Sequence, residues 1–343
     1  MKHVPLLFAA AALAACAQTP PAEAVAAPAS DPAEAAAPAQ DHSQALAALF
    51  AESDEVSLRR NPVQALFRGD LRYADRLGHF LSDEYFASER GAAQSELAAL
   101  ARIDRAALSP SERISYDVFK WQRELDLEGL QVDMLALTAV RPIDHFNGFH
   151  AFFAELSSGE SVAPYKTLKD YENGLSRIDD FVVNLEQAIV RMRQGMATGV
   201  VQPRLVMANV VEQLDAMLAE GVAGSTFMKP LNSFPADISA ADQARLKAAY
   251  AQSIETEIRP ALTRLRAFIV TDYLPKTRAS VGLRDMPGGD RLYAYLVEAS
   301  TTTDLSPDQI HRIGLDEVKR LHGEMEAVKD QVGFKGTLQQ FFE

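Results

Sequence analysis

Eight apolar residues between Leu168 and Met192 set the strongest constraint on this chain. Leu168, Tyr171, Leu175, Ile178, Val182, Leu185, Ile189 and Met192 follow one another in alternating steps of three and four. Only an α-helix gathers such positions onto one face. The pattern predicts one continuous helix, opened by Thr167 and Asp170 and ending near Gly195. A second seam, Val206, Val210, Leu214, Met217 and Leu218, starts near Pro203 and stops at Gly221. The link of about seven residues between them suits an antiparallel pair. A third begins after Ser239 with Leu246, Tyr250, Ile254, Ile258, Leu262, Leu265 and Ile269. Pro260 falls inside it and predicts a kink or break near Arg259.

Capping signatures mark further helix starts. Ser109, Pro110 and Glu112 form a capping box with proline at the first helical position, for a helix that reaches about Glu128 and stops at Gly129. Ser306, Pro307 and Gln309 repeat the device, for a helix that runs to about Val332 and is stopped by Gly333. Its seam is Val318, Leu321, Met325, Val328 and Val332, expected to be packed. No stretch keeps a period of two; residues near 129–142 and 227–237 leave room for short extended pieces. The fold class is therefore mainly α: a multi-helix array of long, antiparallel, capped helices with at most minor β.

Both ends of the chain carry information. "MKHVPLLFAAAALAAC" has a basic start and an apolar run shorter than the ~20 residues a membrane span needs. It reads as a signal peptide over residues 1–16, with Leu13, Ala14, Ala15 and Cys16 resembling a lipobox. Cys16, the only cysteine, is then the lipid attachment site, and Ala17 after it favours the outer membrane. Residues 17–40 are mostly alanine and proline and predict a disordered tether. Residues 41–343 form the helical domain, facing the periplasm. At the other end, Thr337 and Gln340 open a helix at about Leu338 that carries Phe341 and Phe342. So short a helix does not offset the cost of nucleation, and its phenylalanines want a partner surface. The expectation is an array incomplete at its C-terminal side.

A net charge of −13 argues against nucleic acid and against a polybasic membrane patch. With Cys16 taken by lipid, thiolate chemistry and cysteine-held metals drop out. "EVKRLHGEME", residues 317–326, looks like a zinc-hydrolase helix but fails on geometry. His311 and His322 are eleven positions apart, which is ~16 Å along a helix, against zinc–nitrogen bonds of ~2 Å. Gly323 stands where H-E-x-x-H places its general base. The histidine pair in "HFNGFHAFF", residues 145–153, reads as packing, and Glu124, Asp126 and Glu128 as solvated helix surface. No catalytic and no metal-binding residue is assigned to the chain.

Residues 282–342 carry a longer signature: Gly288 and Tyr293, the threonines 301–303, the run from Leu305 to Arg320, and the stretch 333–337. In this order they resemble the bacterial family known as domain of unknown function 885. The resemblance implies similarity to helical zinc metallopeptidases whose H-E-x-x-P-G-H type motif lies downstream of this segment. It implies a peptide substrate and zinc in the full-length protein, with no cofactor held by this chain. The chain would be the N-terminal scaffold and cleft wall of such a peptidase, inactive by itself. Tyr293, Thr302 and His311 would line the cleft. The alternative is a non-enzymatic helical periplasmic binding lipoprotein.

Overall fold

The structure, a computed structural model, describes residues 41–343. The expected lipobox with Cys16 and the expected tether lie outside the described residues. Within them, helices follow one another in the order α1 (His42–Arg60), α2 (Pro62–Phe67), α3 (Asp83–Leu100), α4 (Pro110–Gly129), α5 (Val132–Thr138), α6 (Phe149–Leu156) and α7 (Leu168–Thr198). They continue as α8 (Arg204–Ala219), α9 (Ala240–Ser253), α10 (Arg259–Phe268), α11 (Gly289–Thr301), α12 (Pro307–Gln331) and α13 (Leu338–Phe342). There is no strand among the described residues; extended backbone meets only in one bridge, Pro203 to Arg278. The fold is mainly α.

Helix starts follow the capping chemistry. Reciprocal boxes are present at Ser109/Glu112, Thr167/Asp170, Ser306/Gln309 and Thr337/Gln340. Each hydroxyl accepts from the third helical N–H, and each acid or amide accepts from the cap N–H, so two orphan donors are satisfied at once.

Helix α7 runs through the middle of the molecule and is buried on two faces. On one, Tyr171, Ile178, Phe181, Leu185, Ala188 and Met192 enter the main core with residues of α6, α8, α9 and α10. Phe181 stacks on Phe153 with ring centroids 4.3 Å apart, and Phe227 closes the cluster. The other face is polar. The Arg177 guanidinium donates to the Ala74 carbonyl. Asp180 accepts from the N–H groups of Leu77 (2.7 Å) and Gly78 (2.9 Å), and from His79 Nε2 (2.9 Å). Asn184 donates to the Gly78 carbonyl at 2.8 Å, and Arg191 Nε to that of Leu81 at 2.9 Å. Side chains of one helix thus satisfy the backbone of an irregular segment that has no ladder of its own.

The third seam is buried throughout, from Leu246 to Ile269. The break expected at Pro260 takes another form. A π turn, Ile254–Ile258, precedes α10, and a second, Ile269–Tyr273, follows it. Steps of four along a helix drift by ~40° each at ~100° per residue. The wider turn restores the phase and leaves room for the proline ring just beyond it.

The two stretches where short extended pieces were possible, 129–142 and 227–237, hold α5 and a 3₁₀ segment and form no strand. Met134 and Leu137 of α5, with Val140 just beyond its end, pack against Val200, Met286 and Leu292. Thr226–Asn232 is a 3₁₀ segment that buries Phe227, Pro230 and Leu231. A second correction concerns α12. Val318, Leu321, Met325, Val328 and Val332 are 41–64% exposed, and no residue of this helix is buried. Its capping signals make a helix, but within the described residues nothing covers its apolar face.

Candidate functional site

Polar side chains converge between α3 and α4, where α1, α5 and α11 close a cavity of about 400 Å³. Tyr85, Glu89, Ala93 and Glu96 share one face of α3, and Arg123 and Asp126 face them from α4. Glu89 accepts from Arg60 Nε at 2.8 Å and from Asn61 Nδ2 at 3.3 Å. The Tyr85 hydroxyl donates to Asn61 Oδ1 at 2.7 Å. Arg123 spans two acids, Glu96 at 3.1 Å and Asp126 at 2.8 Å, and lies over the Phe119 ring. Glu96 is buried; Arg123 Nε is buried without a partner.

From α11, Tyr295 reaches across to donate to the Leu125 carbonyl at 3.4 Å. It does so through the space above Gly129, where an added Cβ would collide with the phenol oxygen. The glycine that ends α4 therefore also admits the tyrosine.

Burial shapes the titration of this site. The Tyr85 phenol is pushed up to about 12 by burial, with Glu89 adding to it. The Asp126 carboxyl stands above its ordinary value because burial, with Glu89 and Glu96 nearby, outweighs Arg123. Tyr295 is raised by burial and then by Asp126, Glu128 and Glu298. A second cavity of about 410 Å³ meets the first at Phe86. It is mainly apolar, along Val132, Leu135, Ala136 and Val140, with Arg90 and Arg191 at its wall.

The residues expected to line the cleft of a larger protein lie outside these two cavities. Tyr293 is 39% exposed on α11, two positions from Tyr295. Thr302 caps the C-terminus of α11 at φ 55°, and its N–H donates to the Glu298 carbonyl at 2.8 Å. It is the only non-glycine residue with positive φ among those described. His311 lies exposed on α12. None of the three lines either cavity. His322 is exposed as well, and Glu324 and Glu326 pair with Arg320 and Lys329. No group of three or more histidine, cysteine, aspartate or glutamate side chains is placed to hold a metal among the described residues, so they do not fit a zinc site.

Asp126, read from sequence as solvated surface, faces the cavity, whereas Glu124 beside it is exposed and pairs with Lys120. Arg60, Glu89, Arg123, Asp126 and Tyr295 have no common spacing in the sequence; the available signal was that α4 carries acids on more than one face.

The family of bacterial proteins of unknown function known as DUF885 matches residues 62–343. The chain belongs to this family. Among curated proteins, none matches it. A solved structure described as "the putative lipoprotein from Colwellia psychrerythraea" is similar, with a TM-score of 0.71 at 17% identity. The similarity covers 88% of this chain and 53% of that one. At that identity it shows a shared fold alone. This DUF885 chain therefore spans about half the length of the structure it resembles.

Proposed function

We propose that this chain is the N-terminal scaffold and one cleft wall of a larger zinc-dependent peptidase, held to the bacterial cell envelope by lipid at Cys16. The observation that carries the reading is the uncovered apolar face of α12. That helix belongs to the segment bearing the family signature, and its seam has the helical spacing of a packed surface. An exposed apolar stripe rimmed by charged residues is the kind of surface that marks an interaction site. The similar structure has about as much chain again to supply a cover. Thr302, a β-branched residue in the left-handed region, supports a functional role for the stretch, because such strain persists where a site requires it. Tyr293, Thr302 and His311 would then face the cleft from this side. The metal and its general base would come from outside this chain, and no step of hydrolysis is assigned to its residues.

Expression of the 343-residue chain beside the polypeptide continued along its reading frame tests this. The continued protein should bind zinc and hydrolyse peptides, and the chain alone should do neither. Zinc-dependent hydrolysis by the chain alone, or a continued protein without zinc, would overturn the reading. The alternative, a non-enzymatic binding lipoprotein, draws on the polar cavity between α3 and α4, which is built wholly from this chain.

A further inference from the structure

The second cavity, between α3, α5 and the end of α7, differs from its neighbour in what its own wall leaves unpaired. Two guanidiniums, Arg90 and Arg191, and one carboxylate, Asp83, line it, so the lining carries an excess of one positive charge. One end is settled. Arg191 donates to Asp83 at 2.6 Å, to the Leu81 carbonyl at 2.9 Å and to Gln194 Oε1 at 3.3 Å, and lies against the Phe86 ring. Arg90 stands about two turns further along α3, ~10 Å away along the axis. Its Nη2 donates to the Leu130 carbonyl, while its Nε and Nη1 meet no partner among the described residues. The acids beside this wall in sequence are taken: Glu89 by Arg60, and Asp133 by Arg291. Between the two ends the wall is hydrocarbon, with Leu135, Ala136, Ala139 and Val140 along one side. A volume of about 410 Å³ lies in the range of small-ligand sites, which pair an apolar lining with a few placed polar groups.

We propose that this cavity binds an acyl carboxylate, one carboxylate head on an unbranched hydrocarbon stem, with the head on Arg90 and the stem along α5 towards Val140. Arg90 has N–H groups to spare for charge-assisted bonds to a carboxylate, and its charge is permanent. Val132, 80% exposed at the Arg90 end of α5, gains cover from the stem. A cationic head is disfavoured because the one carboxylate of the lining is already on Arg191. A small inorganic anion would leave the apolar wall unused. A peptide would bring backbone amides to a wall that has no partners for them between its two ends. The proposal rests on residues of this chain and is independent of the peptidase reading.

Calorimetric titration with octanoate at neutral pH tests it, on the 343-residue chain carrying Cys16→Ser and purified without detergent, so that no other lipid competes. Saturable binding is expected. Octylamine, 1-octanol and acetate, which lack the sign of charge, the charge or the stem, should each bind at least tenfold more weakly. Arg90→Gln should weaken octanoate binding tenfold or more. Ala136→Leu, which narrows the groove and touches no charge, should do the same. Circular dichroism confirms that each variant is folded. Absence of saturable octanoate binding overturns the proposal, and so does binding that Arg90→Gln or Ala136→Leu leaves unchanged. Octylamine binding as tightly as octanoate overturns it too, since the groove would then select only for hydrocarbon. Tighter binding of N-acetyl-leucyl-leucine than of octanoate replaces the acyl chain with a peptide and overturns the assignment.

Discussion

At Asp126, partial burial and an ion pair with Arg123 pull in opposite directions. Its carboxyl is raised by burial, so the folded chain holds its proton more tightly than the unfolded chain does. Such a group contributes stability below its unfolded value, about 4, and loses it as pH rises through the folded value. Asp126→Asn is therefore expected to raise the melting temperature at pH 7. The gain should fade as pH falls below about 4. Thermal melts across that range check the sign; a lower melting temperature at pH 7 means that the Arg123 pair outweighs burial. Thr302 permits a second test. Glycine carries no penalty in the left-handed region, so Thr302→Gly should stabilise α11 by about 1 kcal/mol. Denaturant unfolding measures it. Neither residue's environment was readable in sequence. Asp126 looked like one acid among several on a charged helix, and Thr302 like one threonine in a run.

At the level of elements, the sequence was most informative where hydrogen bonding is local. Caps at Ser109, Thr167, Ser306 and Thr337 lie within three residues of their partners, so four helix starts were legible. The polar face of α7 was not, because Arg177, Asp180, Asn184 and Arg191 find partners about a hundred positions away. Asp180→Ala removes three bonds to a carboxylate and should cost about 2 kcal/mol or more. It should also speed hydrogen exchange at the Leu77 and Gly78 amides, which separates loss of this clasp from general destabilisation. The exposed seam of α12 predicts the reverse. Leu321→Gln and Val328→Gln should each change the stability of this chain by less than about 0.5 kcal/mol, since neither side chain is buried in it. A large loss in denaturant melts would show that the face is already covered.

For the whole molecule, the division of labour proposed above makes a cellular prediction. Cys16→Ser should shift the protein from the membrane to the soluble fraction without changing its circular dichroism spectrum. Retention in the membrane would remove the lipid anchor from the account. The mainly α class followed from periodicity alone, because a period of 3.6 leaves its mark in every buried helix. The cavity did not, since it joins residues 60, 85, 89, 123, 126 and 295, brought together only when α1, α3, α4 and α11 pack.

The π turn at Ile254–Ile258 bears on how chains of this kind diverge. A π turn is an α-helix holding one residue more than its hydrogen bonding requires. Deleting a single residue there would restore regular bonding and still leave a helix. Everything downstream, however, would rotate by ~100°, taking Leu262 and Leu265 out of the core. The position thus works as a reading-frame mark within a secondary-structure element. Relatives without the extra residue must compensate within a turn or two, at Pro260 or at the second π turn. An alignment that forbids gaps inside helices will then misregister the last quarter of the chain.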